Sequence, residues 1–221
     1  MSFCAIDFGT SNSAVAVPDA AGHMALVDVE AGALTMPTAV FYLVEGRAAH
    51  EEPQRLYGRQ ALATYLEGHE GRLMRSMKSI LGSSLATQHT DLGAGHSVAY
   101  ADVVGAYLRQ LKQLAERQAG TPLARAVIGR PVFFVDGDPE RDAQAQATLE
   151  AVARSVGFTE VAFQFEPIAA ALDYESTLTE DKVVLVADIG GGTSDFSVIR
   201  VGPQLRRRLD RKGDVLANHG V

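Results

Sequence analysis

Short apolar stretches separated by small and polar residues open the chain. FCAID (Phe3 to Asp7) and SAVAV (Ser13 to Val17) flank the turn FGTSN, and the pattern predicts two strands joined as a hairpin. HMALVDV reads as a third strand before the turn EAG, and TAVFYL (Thr38 to Leu43) as another. From Gly58 to Gly82 the spacing turns helical, with a break near EGHEG, and the small, polar stretch from Gly82 to Gly95 predicts a loop. The clearest helix runs from about Asp102 to Ala119. Val104, Tyr107, Leu108, Leu111, Leu114 and Ala115 recur there at three- and four-residue steps, which makes one apolar stripe, and Gly120 and Pro122 end it. RAVIG follows as a short buried strand. DPERDAQAQATLEAVARSVG is a second helix, with Asp138 suited to its N-cap, Pro139 to its first turn and Gly157 to its C-terminal end. EVAFQF predicts a strand and EPIAAALDYES a third helix. KVVLVAD, apolar at nearly every position, predicts a central strand of a sheet. Strands alternating with helices make the expected class α/β.

Composition narrows the function without naming it. Of 221 residues, 47% are apolar and 21% charged, as in ordinary globular proteins, and the net charge of −7 disfavours nucleic acid as the main partner. No apolar run approaches the roughly 18 residues of a membrane span, and MSFCAIDFG lacks the basic and long apolar segments of a signal peptide. A cytoplasmic protein without membrane partners is expected. Cys4 is the single cysteine, so an internal disulfide is impossible, and its strand context points to packing. The six histidines lack metal-ligand spacing, and RRRLDRK (Arg206 to Lys212) reads as a solvated strand or turn.

The chemistry lies in two segments that share one plan. In AIDFGTSNSAVAV and VADIGGGTSDFSVIRV a strand ends in aspartate (Asp7, Asp188). A glycine-containing turn follows (Gly9; Gly190, Gly191 and Gly192), then small hydroxyl residues, then a returning strand. Glycine lets backbone N–H groups come close to a ligand, and those donors, with Thr and Ser hydroxyls, suit a phosphate chain. A carboxylate repels phosphate but can hold Mg²⁺ through water, and the metal then bridges phosphate oxygens. Two such hairpins facing one another would grip a nucleoside triphosphate. A strand after each turn separates the pattern from the dinucleotide-binding fingerprint, where a helix follows.

These residues carry a family resemblance. IDFGTSNS resembles the first phosphate motif of the actin-like ATPase superfamily, most closely that of the DnaK-type 70-kDa heat-shock chaperones, and DIGGGTSD resembles the second. IGRPVFF (Ile128 to Phe134) is similar to the family's connecting strand with its proline, FEPIAAALDY (Phe165 to Tyr174) to the helix led by Glu-Pro, and MKSILG (Met77 to Gly82) to the lysine-bearing segment. The motifs stand in the family's order from residue 3 to about 201. RPV followed by DGDPERDAQAQATLEAVARSVGF looks like the YegD-type branch.

The resemblance implies an actin-like, ribonuclease-H-like fold that binds ATP or ADP with Mg²⁺ and hydrolyses ATP by in-line attack of water. By resemblance, Asp7, Gly9, Thr10, Ser11 and Asn12 lie at the phosphates, and Gly190, Gly191, Gly192 and Thr193 cradle them from the other lobe. Lys78 reaches the γ-phosphate and the attacking water. Glu166 and Asp188, with Asp7, hold the hydrated metal, Asp195 orients water or the metal shell, and Pro131 couples nucleotide state to the rest of the protein. Ser11 stands where threonine is usual, Ser194 where phenylalanine is common and Arg130 where valine is usual; Arg141 is a candidate for the family's switch arginine. The implied organisation is a first lobe over 1–177, with an inserted subdomain over about 39–119, and the opening strands of a second lobe over 178–221. The family's second lobe continues well past the equivalent of DVLANHGV. The expectation is therefore a fragment without the adenosine-binding part or a substrate-binding domain, with weakened ATP affinity. Unfolded clients or co-chaperones are the protein partners implied for a full-length form. An actin-like bacterial filament protein and a small-molecule kinase of the same superfamily are the alternatives, and MKSILG and RPVFF favour the chaperone branch over both.

Overall fold

The computed structural model describes residues 3–46, 50–190, 194–208 and 210–220. By its contacts the chain falls into two compact units, one of Met1–Ile128 with Phe134–Ala162, the other of Gly129–Phe133 with Phe163–Val221.

The first unit is built on strands β1 (Phe3–Phe8), β2 (Asn12–Pro18), β3 (Met24–Leu26), β4 (Met36–Pro37) and β5 (Ala39–Leu43). β6 (Gln54–Tyr57), helix α1 (Gly58–Leu66), β7 (Gly71–Arg75), β8 (His89–Gly93), β9 (His96–Ala99) and α2 (Tyr100–Ala119) follow. β10 (Arg125–Arg130), α3 (Pro139–Ser155) and β11 (Glu160–Phe165) complete the series; the last residues of β10 and of β11 belong to the second unit. The main sheet has the order β11-β10-β1-β2-β3, with β4 also paired to β2. β1 runs antiparallel to β2, with Ile6 opposite Val15, and parallel to β10, with Ile6 opposite Ile128. Cys4, Ile6, Phe8, Val15, Val17 and Ile128 are buried, which is the every-second-residue burial that a strand imposes.

α2 covers this sheet with its predicted stripe: Val104, Tyr107, Leu108, Leu111, Leu114 and Ala115 are all buried. The Tyr107 hydroxyl donates to the carbonyls of Met36 (3.2 Å) and Pro37 (3.0 Å), and its ring lies 6.0 Å from that of Phe8. α3 packs on α2 where Gly105 lets Val152 and Val156 approach. The caps fall where the sequence places them: Asp138 accepts from the Arg141 N–H, Pro139 opens α3, and Gly120 (φ 66°) and Gly157 (φ 100°) take left-handed conformations beyond the two helices. Burial pushes the Cys4 thiol up to about 12, so it stays protonated and is a packing group.

Four expectations are corrected. HMALVDV forms only the three-residue strand Met24–Leu26. The helical stretch from Gly58 to Gly82 ends at Leu66; Gly71–Arg75 is a strand because β5 offers it an edge, in the order β6-β5-β7, and Gly71 sits against the Tyr42 carbonyl where no side chain would fit. The expected loop from Gly82 to Gly95 contains β8, which pairs with β9 and buries Thr90 and Leu92 at alternate positions. KVVLVAD, expected at the centre of a sheet, is the outer strand of a three-stranded sheet among the described residues.

That sheet belongs to the second unit, where α4 (Glu166–Ser176) precedes β12 (Lys182–Ile189), β13 (Ser194–Val201) and β14 (Val215–Gly220), ordered β12-β13-β14. Ile168 and Ala171 of α4 pack on Ile199 and Val201, with Val184, Val186 and Val215 around them. Val183 (60%) and Leu185 (65%), pointing the other way, are exposed among the described residues. An apolar run thus arises here from a strand with one covered face and one open face. RRRLDRK is also corrected in part: Arg206, Arg207 and Arg208 are exposed, but Arg211 is buried between Glu175 and Asp214.

Candidate functional site

Both segments with the shared plan are antiparallel hairpins. In the first, Asp7 stands opposite Ala14 and Phe8 opposite Ser13; in the second, Asp188 stands opposite Asp195. Asp7 is exposed at the end of β1, two residues before Gly9, and Asp188 is exposed near the end of β12, two residues before Gly190.

The first turn is tight. A Cβ on Gly9 would lie 2.2 Å from the Asn12 carbonyl oxygen, so only glycine fits without moving the backbone. Thr10 is half-buried and Ser11 exposed; the Ser11 carbonyl accepts from the Thr38 N–H at 2.9 Å, and Asn12 begins β2 opposite Pro37. Beneath the turn the hydroxyls of Ser13 and Thr38 share a buried 2.8 Å hydrogen bond. The turn is therefore held from below while its rim stays open. Gly9→Ala is expected to lower stability by about 1–3 kcal/mol, as forced overpacking does, and urea unfolding of the variant beside the parent measures it; an unchanged midpoint contradicts the close approach.

Lys78 lies, half-buried, in a 3-10 turn over Met77–Ile80 in the first unit. Buried Met77 and Ile80 anchor that turn, and Ser76 enters it in a left-handed conformation (φ 54°). Arg141, the candidate switch arginine, donates from Nη2 to the Gly82 carbonyl at 2.6 Å and so ties the start of α3 to the end of MKSILG.

The second unit gathers the other acidic residues. A small recess is lined by Pro131, Val132, Glu166, Pro167, Val186 and Asp188, and on the β13 and β14 side by Asp195, Ser197 and Asn218. Three of the four acidic residues singled out from the sequence thus share one surface with Pro131. Glu166 begins α4, and Pro167 fixes the first turn so that the carboxylate stands at the helix N-terminus. Asp188 and Asp195 project from one face because they are cross-strand neighbours. Gly220 of β14 lies beside the Asp195 carboxylate, where an added Cβ would approach Oδ1 to 2.9 Å. Among the described residues no three His, Cys, Asp or Glu side chains come close enough to ligate one metal ion directly. Gly190 is exposed at the end of β12; Gly191, Gly192 and Thr193 lie outside the described residues.

Arg130, where valine is usual, is buried at the end of β10. Its guanidinium donates to the carbonyls of Pro131 (3.0 Å) and Val132 (3.1 Å) and lies over the Phe165 ring at 5.3 Å. The arginine therefore braces the segment that carries Pro131. Sequence reasoning missed Ser197 and Asn218, whose side chains join at 2.6 Å in the recess. The available signal was VLAN as a returning strand, which sets Asn218 opposite Ser197. No described helix is long and apolar enough to cross a membrane.

A family model described as Hsp70 protein matches residues 3–205. That span takes in both hairpins, the Lys78 turn, the Pro131 segment and α4. The mixed sheet with its helices is consistent with the actin-like ATPase fold, which makes this chain an Hsp70-like nucleotide-binding module of a family of ATPases that use ATP or ADP with Mg²⁺. The chain belongs to the Hsp70 protein family.

Proposed function

We propose that the protein binds ATP together with a hydrated Mg²⁺ ion and hydrolyses it, as the nucleotide-driven part of a heat-shock-70-like chaperone in the cytoplasm. The observation that carries this is the recess where Glu166, Asp188 and Asp195 meet beside Pro131, in a chain whose family match spans both phosphate hairpins. Three carboxylates on one small surface repel one another, and a cation relieves that repulsion. Their oxygen chemistry suits Mg²⁺, an ion that keeps several of its waters and is held by few carboxylates. When bound, the ion neutralises phosphate charge.

The protein's own groups then divide the work. Backbone N–H groups around Gly9 and Gly190, with the hydroxyls of Thr10 and Ser11, bind phosphate oxygens, and Asn12 supports the first turn. Gly191, Gly192 and Thr193 complete the second cradle. Asp7, Glu166 and Asp188 hold water in the metal's shell, Asp195 orients the attacking water, and Lys78 places positive charge at the transferred phosphate. Pro131, braced by Arg130, transmits the state of the site, and Arg141 acts on the segment of Lys78. The RPV segment and the long helix after it support the YegD-like branch. Unfolded polypeptides and co-chaperones are the partners this role calls for, and the lobes divide near residue 178.

Isothermal titration of the 221-residue chain with ATP, with Mg²⁺ and with a chelator, tests the assignment beside a phosphate-release assay. Saturable binding that needs Mg²⁺, weakened about tenfold or more by Asp188→Asn, is expected, since a charge-assisted contact is lost. Binding unaffected by the chelator and by Asp188→Asn overturns the metal assignment, and heats of dilution alone overturn the nucleotide assignment.

A further inference from the structure

Arg130 touches more than the segment that carries Pro131. Its side chain is 8% exposed, and a guanidinium is tolerated at that burial only where its donors find acceptors. Nε and Nη2 donate to the carbonyls of Pro131 and Val132 at 3.0 and 3.1 Å. One planar fork thus holds two successive carbonyls, and neither peptide can turn without breaking a charge-assisted hydrogen bond. The same guanidinium lies over the Phe165 ring, with Cζ 5.3 Å from the ring centre. Phe165 is the N-cap of α4, in an extended conformation (φ −63°, ψ 127°), and no side-chain hydrogen bond caps the helix there. Its ring seats the helix start instead, packed against the cluster of Ile168, Ala171, Ile199 and Val201. Glu166 follows directly, and Pro131, Val132, Glu166 and Pro167 line one recess. Arg130 therefore touches both segments that supply this part of the lining, one by hydrogen bonds to its carbonyls and the other through the Phe165 ring.

We propose that Arg130 is a positioning residue for Glu166: by holding the Pro131 and Val132 carbonyls while lying over Phe165, it fixes where the Glu166 carboxylate stands in the recess. The inference rests on the reading of Glu166 as a holder of the hydrated Mg²⁺ ion. Arg130 itself touches neither the ion nor the phosphates in this role. It acts through the residue before Glu166 and through the facing segment. An apolar side chain at this place would fill the space beside Phe165 but would carry no donor, so the two segments would no longer be joined. A lysine would keep a charge near the ring, but an ammonium lacks the planar fork that serves both carbonyls at once. Groups that orient a metal-holding side chain are worth about 10–100-fold in metal affinity or activity, although they make no bond to the metal.

Isothermal titration of the 221-residue chain with ATP, over a series of Mg²⁺ concentrations, tests this in the parent, Arg130→Met, Glu166→Gln and the double variant. Methionine keeps a long, adaptable side chain beside Phe165 and removes the donors. Arg130→Met should raise the Mg²⁺ concentration for half-maximal ATP binding about tenfold or more. In the Glu166→Gln background the same change should move that value less than about twofold, because Arg130 acts through Glu166. A residue that only stabilises the fold would weaken binding equally in both backgrounds. Arg130→Lys should lie between parent and Arg130→Met, and it carries the same comparison if Arg130→Met does not fold; urea unfolding decides which variant is used. Parent-like Mg²⁺ dependence in the folded variant, or an equal loss with and without Glu166, overturns the proposal and leaves the metal assignment standing. An unchanged Mg²⁺ dependence in Glu166→Gln alone removes Glu166 from the metal site, and the positioning role falls with it.

Discussion

Arg211→Ala is expected to destabilise the C-terminal unit by about 3–5 kcal/mol, the usual cost of leaving buried charge without its partner. Arg211 is 3% exposed, Glu175 1% and Asp214 2%. The guanidinium holds both oxygens of Glu175 at 3.1 Å, donates from Nε to Asp214 at 2.5 Å, and reaches the Arg200 carbonyl at 3.0 Å. Glu175 in turn accepts from the Gly202 N–H at 2.8 Å, so one arginine ties the end of α4 to the end of β13 and to the turn before β14. Burial alone would push the Arg211 pKa down; its hydrogen bonds to Glu175 and Asp214 outweigh that and hold it above the ordinary value, so the group stays charged. Arg211→Lys should recover only part of the loss, because an ammonium cannot hold both Glu175 oxygens as the planar fork does. Urea unfolding followed by circular dichroism measures both variants. A loss under about 1 kcal/mol for the alanine variant, the range of an exposed pair, contradicts this account.

Lys78→Ala is expected to reduce the phosphate-release rate by about 10²–10³-fold while ATP affinity changes far less. That is the signature of a group acting on charge that develops in the transition state. The variant should fold normally. The turn over Met77–Ile80 is held by the buried side chains of Met77 and Ile80, and its closure uses the Lys78 carbonyl, which alanine keeps. Single-turnover hydrolysis beside isothermal titration separates the two effects. Equal rates in variant and parent would remove Lys78 from the chemistry and leave it a half-buried lysine on a structural turn.

Much of the fold was legible in local pattern because the signals are local. α2 follows from six apolar positions that one helical face can bury at once, and all six are buried. α3 follows from Asp138, Pro139 and Gly157, which act within one turn of the helix ends. The two hairpins follow from strand, glycine turn and strand, and Gly9 shows the physical need, since its turn leaves no room for a Cβ. The family signature was legible for the same reason: each motif is a short segment whose residues must be particular types.

What remained hidden depends on neighbours far along the chain. Gly71–Arg75 has a composition that suits a helix, and β5 makes it a strand by offering unpaired backbone groups. KVVLVAD looks the same whether buried on both faces or covered on one; only the placement of α4 over Val184 and Val186, with Val183 and Leu185 left exposed among the described residues, decides. Arg211 sits in a basic run that predicts solvation, and its burial requires Glu175, 36 residues earlier, to meet it. The grouping of Glu166, Asp188 and Asp195 in one recess was likewise decided by the packing of α4 on β13, and Asn218 joined them through strand register. By itself the sequence determined the helices, the hairpins and the family, because propensity, capping and backbone sterics act over a few residues. The tertiary structure alone decided which segment joined β5 as a strand and which charges were buried, because burial and pairing are properties of what a segment meets.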